Sequence, residues 1–156
     1  MKRLMGRLCA AGLLTVAAVH AACSGAPTQP SAPPATPAPA ANLAGEWRGI
    51  AEDSSGPGSI TLQVTQSGGN LSGTVLMTVT GTSIAGRGTL TGTLTGSTMR
   101  FTITIPAGGF DAPYTSCNVS VSGDGRATAT SITAKYSGTN SCSGPVTGGD
   151  MNLSKL

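Results

Sequence analysis

The chain is poor in the side chains that most chemistry needs. Its one histidine, His20, sits in an apolar leader, so nothing after it carries an imidazole. That excludes Ser-His-Asp and Cys-His catalysis as usually built and removes the commonest metal ligand. Serine and threonine abound, but a hydroxyl without a base is a weak nucleophile. Glu52 and Asp53 are adjacent, and neighbours on a strand point to opposite faces, so they do not form one site. The expectation is a non-enzymatic protein with no cofactor and no metal. Charge is scarce as well, at 10% of residues. Lys2, Arg3 and Arg7 belong to the leader, and the six basic residues beyond it are balanced by six acidic ones. Without a concentrated basic surface, nucleic acid is not an expected partner. The longest apolar run, Ala10–Val19, has ten residues, whereas a spanning helix needs roughly twenty.

What is present is an ordered series of segments. A basic start and the short apolar run read as a secretory signal over residues 1–22. The stretch Ala21-Ala22-Cys23-Ser24 resembles the lipobox of bacterial lipoproteins. The resemblance implies cleavage before Cys23 and a lipid anchor, with palmitate-type acyl chains, on its thiol. His20 stands where that family prefers Leu, and ordinary signal-peptidase cleavage after Ala21 is the alternative. Cysteine arithmetic favours lipidation. Cys9 leaves with the signal and Cys117 can form a disulfide with Cys142, which leaves Cys23 odd in an oxidising compartment. By the sorting habit of the family, Ser24 directs the protein to the outer membrane of a bacterial envelope, facing the periplasm or the surface.

Cys23 opens a linker over residues 23–41. Residues 24–41 hold six of the ten prolines, with Ala, Thr and Ser between them. Such a segment favours polyproline II and spans roughly 50 Å at about 3.1 Å per residue.

Residues 42–156 make one domain of ordinary size. Apolar residues alternate with Thr and Ser, and Gly-rich breaks interrupt them. Ile60-Leu62-Val64, Met99-Phe101-Ile103-Ile105 and Cys117-Val119-Val121 show the period-two pattern of half-buried antiparallel strands. Turns are expected at Ser67–Asn70, at Gly96-Ser97 and at Gly123-Asp124-Gly125. With an opening strand near Leu43–Ala51 and a last strand around Met151 and Leu153, eight strands are predicted. The fold class is all-β, and the short links favour a single eight-stranded antiparallel up-and-down β-barrel, with a β-sandwich as alternative. Leu71-Ser-Gly-Thr, Leu90-Thr-Gly-Thr, Leu94-Thr-Gly-Ser and Tyr136-Ser-Gly-Thr repeat irregularly. Their glycines read as barrel corners.

Gly45-Glu46-Trp47, at the head of this meander, resembles the Gly-x-Trp of the calycin group, the lipocalins and avidins. The resemblance implies that Trp47 closes one barrel end beneath a basic residue of the last strand, for which Lys155 is the candidate. Trp47 has a second reading, as a platform that stacks a ligand. The aromatic set is too small to carry an avidin-type biotin site. A Cys117–Cys142 bridge would staple the loop Thr139–Gly149 to the barrel. On the chain-entropy model, closing the chain between these cysteines, 25 positions apart, contributes about 3.5 kcal/mol.

A barrel of this size holds one small ligand or is filled by side chains. The expected partner is therefore a small apolar or lipid-like molecule, besides the membrane reached through the anchor. The ligand-binding candidates are Trp47, Phe101, Phe110, Tyr114 and Tyr136. The mouth is expected at Ala51–Ser59, Pro106–Pro113 and Ser141–Gly149. A filled barrel with a structural or surface-interaction role is the alternative. Cys23→Ser is expected to abolish incorporation of labelled palmitate and to shift the protein from membrane to soluble fractions. Unchanged membrane association would exclude the anchor.

Overall fold

A computed structural model describes residues 41–156, and the signal, Cys23 and the linker up to residue 40 lie outside the described residues. The described chain forms β1 (Gly45–Asp53), β2 (Gly56–Ser67), β3 (Asn70–Val79) and β4 (Ala85–Thr95). It continues with β5 (Thr98–Ile105), β6 (Val119–Ala127), β7 (Ser131–Asn140) and β8 (Gly144–Lys155). Each strand pairs antiparallel with the next, and β8 returns to β1, so the eight strands close into an up-and-down barrel. The sandwich alternative is excluded, because closure leaves no pair of separate layers and no free edge.

Alternation is the cause of this arrangement. On β5, Met99, Phe101, Ile103 and Ile105 are buried while Arg100 and Thr104 face outward. The outer wall is hydroxyl-rich. Thr74, Thr89, Thr104, Ser120 and Thr139 align across β3–β7, and Ser72, Thr91, Thr102, Ser122 and Ser137 form a second row. A charged row, Arg100-Asp124-Lys135-Asp150, follows. In it Arg100 pairs with Asp124 at 2.8 Å and Lys135 pairs with Asp150. A membrane-spanning barrel carries an apolar band outside. This wall is polar outside and apolar within.

The glycine motifs divide by position. Gly73, Gly92 and Gly138 lie within strands, where a Cβ would collide with a carbonyl of the neighbouring strand. Gly96 instead forms the two-residue turn between β4 and β5, at a φ of +59°. The turn expected at Gly123-Asp124-Gly125 is not one. These residues continue β6, and the chain reverses after Ala127, around Thr128–Thr130. Both glycines lie on the crowded inner face, where Phe101, Tyr136 and Ala134 leave no room for a Cβ. The expected loop Thr139–Gly149 is also shorter, because β8 begins at Gly144 and only three residues, 141–143, separate it from β7. Cys117 precedes β6 instead of lying within a strand.

One barrel end is sealed. Trp47 is fully buried and donates its indole N–H to the Leu43 carbonyl at 2.8 Å. Lys155 lies over the ring, with Nζ 5.5 Å from the centroid, and donates to the Asn42 carbonyl at 3.0 Å. Gly45 allows this approach: at φ +125° it holds a conformation that L side chains rarely adopt, and a Cβ there would sit 3.2 Å from Lys155 Cε. Leu43, Leu62, Met99 and Ile132 complete the plug with almost no exposure. Trp47→Ala is expected to cost about 3–5 kcal/mol, read as a lower urea midpoint with an unchanged slope. A loss under about 1 kcal/mol would show that the plug is not structural.

Candidate functional site

The inner face changes size along the axis. Below lie Trp47, Leu62, Leu90, Met99 and Phe101. Above, toward the far ends of β1, β3 and β5, small or slim residues (Ala51, Gly58, Val75, Val119, Val121 and Val146) stand among larger ones such as Ile60, Met77 and Ile103. The upper half therefore holds a cavity of about 340 Å³. A water occupies about 30 Å³ of liquid, so this is more than a packing defect. It falls within the range of small-molecule sites.

The mouth is built from four connections. Residues 54–55 link β1 to β2, 80–84 link β3 to β4, 106–118 link β5 to β6, and 141–143 link β7 to β8. Three were expected as mouth loops. The 80–84 connection, which contributes Thr82 and Ile84, was not. Cys117 and Cys142 form a disulfide with a Cα–Cα distance of 5.5 Å, tying the 106–118 segment to the β7–β8 turn at the rim. The 106–118 segment also docks on β4. Asp111 accepts from the Ala85 N–H at 3.0 Å and from Arg87 Nη1 at 2.8 Å, while Arg87 N–H donates to the Gly109 carbonyl at 2.8 Å. The Arg87 hydrogen bond, then that of Ala85, holds the Asp111 carboxyl below its ordinary value. Phe110 reaches inward over Gly86, where a Cβ would stand 2.5 Å from its ring.

The aromatic candidates separate cleanly. Phe110, Tyr114 and Tyr136 line the cavity. Trp47 and Phe101 are buried in the sealed half and do not contribute to its wall. Their placement fits the plug reading of Trp47 better than the platform reading.

A polar pair stands in the otherwise apolar chamber. The Tyr136 hydroxyl donates to Asp53 Oδ2 at 2.8 Å, and the Ser55 N–H donates to Oδ1 at 2.7 Å. Burial, followed by the Asp53 hydrogen bond and the charges of Asp53, Asp150 and Glu52, pushes the Tyr136 phenol well up from its ordinary value. Glu52 and Asp53 do diverge as adjacent strand residues must: Glu52 is exposed opposite Asp150, and Asp53 lines the cavity. Asp53 was overlooked as a cavity residue, yet its phase is readable, since it follows Trp47, Gly49 and Ala51 at steps of two. Glu46, between Gly45 and Trp47, pairs with Arg48 at 2.9 Å on the outer wall.

Comparison with known protein families, with curated proteins and with solved structures returned no match.

In a Tyr114→Phe background, the remaining phenol is expected to ionise well above the ordinary tyrosine value of about 10, followed by tyrosinate absorbance. Asp53→Asn should bring that ionisation down. The native fold holds this proton more tightly than the unfolded chain does. The stability it supplies is complete below about pH 10 and declines as pH rises further. Tyr136→Phe should remove that alkaline slope from urea midpoints.

Proposed function

We propose that the protein is a non-catalytic binding module for a small hydrophobic or lipid-like ligand, tethered to a bacterial outer membrane through lipidated Cys23. The observation that carries the reading is the cavity of about 340 Å³, apolar along most of its wall and bordered by the connections at one barrel end. Apolar chambers with a few placed polar groups are the usual form of small-molecule sites. Support for a calycin likeness comes from the sealed pole, where Gly45, Trp47 and Lys155 stand together as that resemblance implies. The structural alternative, a filled barrel, is disfavoured by the void. The anchor rests on the sequence around Cys23 and on the proline-rich linker that follows it.

The purified protein, incubated with an envelope lipid extract and washed, is expected to retain a discrete small molecule detectable by mass spectrometry. Val121→Phe, which adds bulk to the cavity wall, should abolish retention while the melting transition stays cooperative. Retention of nothing by the unaltered protein, or equal retention by the filled variant, would overturn the reading.

A further inference from the structure

Resting on the binding reading above, we propose that the chamber selects a ligand with a cationic or hydrogen-bond-donating head on a short apolar body, an alkylammonium type of molecule, and rejects fatty acids and other apolar anions. The selecting group is Asp53, seconded by Tyr136.

The argument begins with what surrounds Asp53. Its carboxylate has two local donors, the Tyr136 hydroxyl at 2.8 Å and the Ser55 N–H at 2.7 Å. A carboxylate offers about four acceptor positions, so roughly half remain for a ligand. Tyr136 has committed its only hydroxyl hydrogen to Asp53, and its oxygen is left as an acceptor. Both members of the pair therefore ask a ligand for hydrogens. Neither offers one to a carboxylate.

The charge balance points the same way. No lysine or arginine is among the described residues that line the cavity. Arg48, Arg87, Arg100 and Lys135 are paired with acids on the outer wall, and Lys155 sits over Trp47 at the opposite pole. Asp111, the one acid of the rim segment, is itself paired with Arg87. The polar residues that remain around the mouth, such as Thr82, Asn140 and Ser143, are neutral. Asp53 thus supplies a negative charge in an apolar chamber with no cation beside it. An ammonium gains there and a carboxylate loses, since the half-buried Asp53 carboxylate attracts the one and repels the other. The six basic and six acidic residues beyond the leader balance. Net charge would therefore not generate such a preference.

The test uses three probes with the same chain: octylammonium, octanol and octanoate. Each is titrated at neutral pH into the full chain carrying Cys23→Ser, so that no lipid anchor competes, and binding heat is measured. Octylammonium is expected to bind at least about tenfold more tightly than octanoate, with octanol between them, and the gap should narrow as salt is raised, because the Asp53 carboxylate is only half-buried. Asp53→Asn should bring octylammonium and octanoate to within about threefold of each other and leave octanol unchanged. Tyr136→Phe, which keeps the charge and removes one of its donors, should maintain or enlarge the preference. Octanoate binding as well as octylammonium, or a preference that survives Asp53→Asn, would overturn the assignment while leaving the chamber a binding site. Failure of all three probes, octanol included, would overturn the binding reading itself and this assignment with it.

Discussion

Everything in this molecule depends on the pairing of its first strand with its last. Six residues of β1, from Trp47 to Glu52, match Lys155 back to Asp150 on β8. The seam is tight at Gly49, where any Cβ would run into the Asn152 carbonyl. Were the seam open, β1 and β8 would each show a row of unpaired backbone groups, which is a template for aggregation. With it shut, the alternation of side chains acquires an inside and an outside. The buried residues from Leu43 to Leu153 then form one continuous core.

A closed cylinder need not be hollow. This one keeps a cavity of about 340 Å³ toward its mouth, where small residues stand among the larger ones. Trp47, Met99 and Phe101 fill the lower section, and Ala51, Gly58 and a set of valines leave the upper one unfilled. The disulfide and the docked 106–118 segment then hold the rim in place. Rim rigidity matters for a binding site, since ordering a loose mouth on association costs affinity.

The strand count, the closure and the disulfide were legible because period-two burial, short links and paired cysteines are local signals. The reading failed where local and tertiary meanings of a residue differ. Gly123-Asp124-Gly125 has the composition of a turn, yet its glycines answer to Phe101 and Ala134 on neighbouring strands. The span Gly144–Gly149 looks like loop for the same reason. Its Gly149 makes room for the Tyr136 ring, 2.5 Å from where a Cβ would stand. Thr80–Ile84 carries no marker of its role at the mouth. Asp53 was dismissed as half of an adjacent acidic pair. Its inward phase was available from Trp47, but its partner Tyr136 lies 83 residues away and becomes visible only once the cylinder closes.

Asn42 and Leu43 are bound into the sealed pole, through Lys155 and Trp47. The polypeptide thus joins the cylinder at its floor. Chain entry and cavity mouth are therefore at opposite ends of the barrel, so a guest molecule comes and goes without disturbing the contacts that fasten Asn42 and Leu43.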